Sequence, residues 1–157
     1  MYDLNHDLLD ALKATPETLS VLLAGISVAQ ARSARGGDEN WSVVEVVCHL
    51  RDAEEFFIKR LQAMRDQDDP PIGGYDQAAL AQERNYKAVE LQTALAGFNS
   101  FRQQTIAQLS NLTSAQWQRS GQHTELGQIT IFSMAIHHAA HDAIHCVQIA
   151  RQLKAES

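Results

Sequence analysis

Residues 130–154 read TIFSMAIHHAAHDAIHCVQIARQLK. The stretch holds no Gly and no Pro, and it carries His137, His138, His141 and His145, four of the seven histidines in the chain. At about 100° per residue, a helix through it places Met134, His138, His141, His145, Gln148 and Gln152 on one face, with His137 at the edge. That face is the one expected to be buried. Buried faces are normally lined by Leu, Ile and Val. Imidazoles in their place need partners, and a bound metal is the most economical one.

Two histidine pairs on this helix have i, i+4 spacing, His137/His141 and His141/His145, and His138/His145 is an i, i+7 pair. An i, i+4 pair can present two ring nitrogens to one ion. A third ligand has to come from elsewhere, and His49 is the best candidate. It lies within a helix that starts sharply at Trp41-Ser42-Val43-Val44-Glu45. Ser42 at the N-cap and Glu45 three residues on form a capping box, and Trp41 and Val46 are placed as a hydrophobic staple. This helix is expected to run over 43–65. The face that carries His49 also carries Ser42, Glu45, Ala53, Phe56 and Arg60. Three histidines leave open positions on an ion, which is the arrangement of a catalytic site rather than a closed structural one. Imidazole ligands suit Zn, Ni, Fe or Cu. Such an ion acidifies a water or thiol, or polarises a substrate oxygen.

Neighbouring polar residues have plainer readings. Glu45 is expected to be a cap rather than a base. Asp52 either hydrogen-bonds in the site or is solvated. Cys48 and Cys146 sit about 100° round the helix from their histidine neighbours and read as small buried hydrophobes. Arg51, Arg60 and Arg151 could meet an anionic substrate, although solvation is the commoner fate. His6 and His123 read as surface residues.

Helical periods dominate the rest of the chain, and β-branched alternation is almost absent. Leu4, Leu8, Leu9 and Leu12 form the first stripe, and Thr15-Pro16 is expected to restart or kink that helix. Residues 32–40 read as a polar turn, and 68–74 as the clearest loop. A short helix is expected within 75–85 and a long one over 87–109. Gly97 lies inside the long one at a cost of about 1 kcal/mol against Ala, which marks close packing. Thr113 and Gln116 make a further capping box, residues 119–129 a polar connector, and Thr130 the N-cap of the last helix. The expected fold is an all-α four-helix bundle, one domain over 1–157.

The net charge of −6 and the lack of a Lys/Arg block argue against nucleic-acid binding. No apolar run reaches the ~18 residues of a membrane span. The N-terminus does not read as a signal peptide, and two cysteines make no disulfide framework. A cytoplasmic protein with reduced thiols is the expectation.

Two blocks carry a resemblance. Trp41-Ser42-x-x-Glu45-x-x-x-His49-Leu50-x-Asp52-Ala53-Glu54 resembles the second-helix signature of the DinB/YfiT-like superfamily, and His141-Asp142-x-x-His145-x-x-Gln148 resembles its last-helix signature. Their order and separation fit as well, and the likeness spans nearly the whole chain. It implies an up-down-down-up four-helix bundle, often a homodimer, with a divalent metal held by His49, His141 and His145. It also implies a small-molecule substrate. Relatives include S-transferases that use a low-molecular-weight thiol cosubstrate such as bacillithiol or mycothiol, a thiol-dependent isomerase, and proteins described as metal-dependent hydrolases. Some relatives show His-His-x-x-His, which 137–141 also matches. The 141/145 register is preferred because Gln148 follows at the expected offset. His138 is then a hydrogen-bonding partner to the site or a substitute ligand.

Three functions follow as expectations. The first is a metal-dependent S-transferase or hydrolase using Zn, Ni or Fe. The second is a non-catalytic, metal-binding, stress-related dimer. The third is a metal-free bundle with hydrogen-bonded core histidines.

Overall fold

The computed structural model describes residues 3–156. In chain order these form α1 (Leu4–Leu22), α2 (Val28–Ser33), β1 (Arg35–Gly36), β2 (Trp41–Ser42), α3 (Val43–Asp66), β3 (Pro71–Ile72), α4 (Gln77–Glu83), a 3-10 turn (Tyr86–Ala88), α5 (Leu91–Ser110), α6 (Ser114–Trp117), β4 (Ser120–His123), β5 (Gly127–Thr130) and α7 (Ile131–Ala155). The four long helices, α1, α3, α5 and α7, make the bundle. No helix among the described residues is long and apolar enough to cross a membrane.

Residue pairings give the helix directions. Between α3 and α7, the contacts Glu54–His138 and His49–His141, continued by Trp41–Gln152 just before α3, run in opposite senses along the two helices. Glu54 meets both Arg102 and Thr105, and the space above Gly97 is filled by Arg51, so α3 and α5 are parallel. Leu8 and Leu12 share a core cluster with Met134 and Ala135, while Leu19 and Leu23 share the other with Cys146 and Ile149. Hence α1 runs with α7. The order is up, down, down, up, as expected.

Helix starts follow local sequence closely. Ser42 Oγ accepts the Glu45 N–H at 3.3 Å, and Glu45 Oε2 accepts the Ser42 N–H at 2.9 Å. The same reciprocal bonding closes the boxes at Thr113/Gln116 and Thr130/Ser133. Each such cap is worth about 1 kcal/mol. A Cβ on Gly97 would lie 2.9 Å from Cδ of Arg51, so the close packing expected there is real.

Two expectations need correction. Of the restart or kink expected at Thr15-Pro16, the restart is overturned, because one helix runs through Pro16. Proline lacks the N–H that would bond the carbonyl of Leu12, and Nη1 of Arg102 donates to that carbonyl instead, at 2.7 Å. The bond lost to proline is replaced from another helix. Secondly, the polar connector expected over 119–129 carries strand structure. β4 and β5 form an antiparallel hairpin with Ser120 opposite Thr130, and β3 joins β4 in parallel. A second ribbon pairs β1 with β2. The ladders are too short, and too poor in β-branched residues, to show as period-2 patterning.

At the bundle centre lies a polar network with a member on every long helix. Arg102 donates through Nε to Glu54 at 2.8 Å, through Nη2 to Asp142 at 2.7 Å, and to Leu12 as above. Nη2 also bonds Glu54. Thr15 Oγ1 donates to Asp142 at 2.8 Å and Thr105 Oγ1 to Glu54 at 2.6 Å. All of these residues are buried. Removing one partner of such a network leaves an uncompensated buried charge.

Candidate metal centre

His49, His141 and His145 converge between α3 and α7. A ring nitrogen from each lies within 4.8 Å of the others. Nε2 of His49 and Nε2 of His141 are 2.8 Å apart. The ring of His145 sits 4.8 Å from that of His49 and 4.4 Å from that of His141, centroid to centroid. The cap at Ser42 fixes the start of α3, which sets where His49 points, and Trp41 packs against the His49 ring at 5.1 Å.

His145 is oriented by a relay. Its Nδ1 lies 2.8 Å from Oε1 of Gln148, and Nε2 of Gln148 donates to the carbonyl of Gly36 at 3.0 Å. Because the amide nitrogen is committed to Gly36, its oxygen faces His145. Nδ1 must therefore carry the hydrogen, and the lone pair is left on Nε2. Gln152 makes a parallel tie, donating to the carbonyl of Trp41 at 2.6 Å. Together they pin the β1–β2 ribbon to α7. Gly37, at φ +76°, closes over Gln148, and a Cβ there would lie 2.5 Å from the amide nitrogen.

Electrostatics keep the His49 and His141 rings neutral. Burial, followed by the charges of His145 and His138, lowers the pKa of His49 to about 3 against the opposing pull of Asp52. Burial and the surrounding histidines lower that of His141 to about 2. Neutral imidazoles are the ligating form. Nε2 atoms facing each other at 2.8 Å can share at most one hydrogen between them, whereas a cation satisfies all three lone pairs. The donor set fits a divalent ion that accepts nitrogen ligands.

The other candidates separate clearly. His137 is exposed and does not join the three. Nε2 of His138 lies 2.5 Å from Oε1 of Glu54, and its ring stacks on Phe57 at 4.5 Å. It belongs to the central network, not to the triad. Glu54, His138 and Asp142 also gather three potential ligand atoms, but Arg102 already supplies the cation there. Asp52 is neither solvated nor bonded to the triad: it is fully buried and takes bonds from Arg51 at 2.7 Å and Tyr86 at 2.6 Å, with Arg84 at 3.0 Å. Glu45 is a cap, as expected, and also meets Arg35 at 3.1 Å. Cys48 and Cys146 are free and buried. Burial pushes both thiols up to about 11, which makes them poor nucleophiles.

A cleft of about 510 Å³ opens onto the triad, lined by His49 and His141 together with Arg60, Tyr75, His123 and Met134. A larger groove of about 750 Å³ lies beyond His145, between residues 35–39 and α7. The smaller cleft matters more for chemistry, because two of the three converging rings line it. His123 is a miss of the sequence reading. It is half-buried in this cleft, on the β4–β5 hairpin.

The DinB superfamily profile matches residues 11–149. The chain belongs to the DinB superfamily. YfiT of Bacillus subtilis strain 168, described as a candidate metal-dependent hydrolase, is 25% identical over 120 residues, or 74% of this chain and 67% of that protein. The solved structure of YfiT superposes with a TM-score of 0.81 at 22% identity, covering 96% of this chain and 87% of YfiT. A Streptococcus pneumoniae protein gives a TM-score of 0.71 at 15% identity, covering 96% of this chain and 91% of that one. A Clostridium difficile 630 protein gives 0.72 at 13%, with 96% of each chain covered. These structural likenesses bear on the fold.

Proposed function

We propose that this member of the DinB superfamily is a metal-dependent enzyme whose divalent ion is held by His49, His141 and His145. The convergence of three buried or half-buried ring nitrogens, two of whose rings line a cleft, carries the reading. A divalent ion held by these three rings would lower the pKa of a bound water or thiol toward neutrality. Burial keeps His49 and His141 uncharged and available, and Gln148 fixes the tautomer of His145. The relative YfiT is described as a candidate metal-dependent hydrolase, and hydrolysis is one form of the proposal.

A second form, transfer of a low-molecular-weight thiol to an electrophile, is favoured by one observation. Among the described residues the cleft lining holds a single carboxylate, Glu125, and it is exposed. Glu45, Asp52, Glu54 and Asp142 are all engaged elsewhere. A thiol ionises on a metal without a carboxylate base, whereas water activation commonly uses one.

A homodimer belongs to the same proposal. Ile136, Ile144 and Val147 are exposed large apolar side chains that fall within about 80° of arc on α7. Light scattering tests it, and a monomeric mass at micromolar concentration removes it.

The direct test is metal content by mass spectrometry on tag-free protein. One equivalent is expected in the parent, with loss in His49→Ala, His141→Ala and His145→Ala and retention in His137→Ala. Turnover of a thiol with a chlorinated dinitroarene, compared with hydrolysis of activated esters and amides, then separates the two forms. Stoichiometric metal with neither turnover would leave the non-catalytic dimer as the better account. A parent that takes up no metal would leave the metal-free bundle.

A further inference from the structure

Arg60 and His49 share a face of α3. Eleven residues along a helix return it to within about 20° and advance it by about 16 Å. Helical side chains lean toward the N-terminus, so Arg60 reaches back toward His49, and both line the same 510 Å³ cleft. The guanidinium is held in place. Its Nη2 donates to the carbonyl of Gly73 at 2.6 Å. Its Cζ sits 5.8 Å from the ring of Tyr75, which is stacked on Phe56 at 4.2 Å.

The missing partner is a counter-charge. Arg51, Arg84, Arg102 and Arg119 each meet a carboxylate. Arg60 is half-buried, and among the described residues its only fixed contacts are a backbone carbonyl and an aromatic ring. A cation withdrawn from water without an anion carries a desolvation cost that a bound anion relieves. A second donor lies in the lining. Nδ1 of His123 accepts the backbone N–H groups of Glu125 and Leu126 at 3.2 and 3.3 Å, so the hydrogen of the neutral ring is on Nε2. Met134, Ile129 and Leu126 supply the apolar part of the wall.

We infer that the cleft takes a small amphipathic carboxylate, with its carboxylate on Arg60, its apolar body against Met134 and Ile129, and its reacting end at His49 and His141. Arg60 is thereby a specificity residue. The inference rests on the triad being the reacting centre. The spacing along α3 calls for a ligand with several bonds between its two ends, and Arg60 has no role in holding the ion.

Hexanoate and 1-hexanol are the probes, titrated calorimetrically into the metal-free protein. Hexanoate is expected to bind the parent at least tenfold more tightly than Arg60→Gln, with Arg60→Lys in between. Hexanol is expected to bind parent and Arg60→Gln alike, which also shows that the cleft is intact. Equal hexanoate affinity in parent and Arg60→Gln overturns the inference. So does a parent that fails to prefer hexanoate over hexanol, or that binds neither at millimolar concentration. Metal uptake is measured separately on the same preparations. If it is absent while the hexanoate preference persists, the metal reading falls and the carboxylate site stands. If uptake is normal and the preference is missing, the reverse holds.

Discussion

Oε1 of Gln148 lies 2.8 Å from Nδ1 of His145, and the same amide is anchored through its nitrogen to the carbonyl of Gly36. One side chain therefore links a ribbon preceding α3 to a ring on α7. Gln148→Ala removes the acceptor that holds the His145 tautomer. Its metal affinity, measured by competition with a chromophoric chelator, is expected to fall ~10- to 100-fold, the usual effect of losing a partner behind a ligating histidine. The melting temperature of the metal-free protein should move little, because Gln148 is only half-buried.

Gly37→Ala reaches the same ring from the other side. The added methyl would lie 2.5 Å from Nε2 of Gln148, and the backbone at φ +76° disfavours any side chain. A weakened metal affinity similar to that of Gln148→Ala is expected. The double variant should be little worse than either single one, because both act through one contact. Additive losses in the same chelator competition would show that Gly37 acts otherwise.

Acid stability is a separate matter from the metal. Burial alone would raise the pKa of Glu54, but the bonds and charges of His138 and Arg102 outweigh it and bring it down to about 2 from 4.5. A carboxylate with a depressed folded-state pKa adds stability above its unfolded pKa and loses it as pH falls toward the folded one. Urea midpoints are thus expected to drop between about pH 4.5 and about pH 2. In Glu54→Gln that part of the slope should be flattened, on a protein already weaker by about 3–5 kcal/mol at neutral pH. An unchanged acid slope would show that Glu54 is not the responsible group.

Arg102→Met tests the centre of the network. Glu54 and Asp142 would keep their burial and lose their shared cation, a change that costs about 3–5 kcal/mol. Arg102→Lys should recover only part of it, since one ammonium cannot reproduce the guanidinium's bonds to Glu54, Asp142 and Leu12. Thermal melts of the three proteins give the ranking.

Much of this architecture could be read directly from the sequence, because capping and periodicity are local. Ser42/Glu45, Thr113/Gln116 and Thr130 mark helix starts that the structure reproduces. The convergence of His49, His141 and His145 followed from helix faces and from a resemblance. Other features depended on partners far along the chain. His138 meets Glu54 84 residues away, and Thr15 meets Asp142 127 residues away. Asp52 gave no sign that Arg84 and Tyr86 would enclose it. The β4–β5 hairpin carried too few β-branched residues to stand out, and with it went the placement of His123 in the cleft.

The carbonyl of Leu12 has no helical N–H to accept, because residue 16 is a proline, and Arg102 supplies its donor. The two positions are therefore coupled in space, and the cost of changing one depends on the residue at the other. A lineage that replaced Pro16 would regain an ordinary helical bond and make one of the anchors of Arg102 redundant. A lineage that lost Arg102 first would strand the carbonyl, and Pro16 would turn from neutral to harmful. Substitutions at 16 and 102 should thus be order-dependent, and Pro16→Ala should cost less in an Arg102→Met background than in the parent.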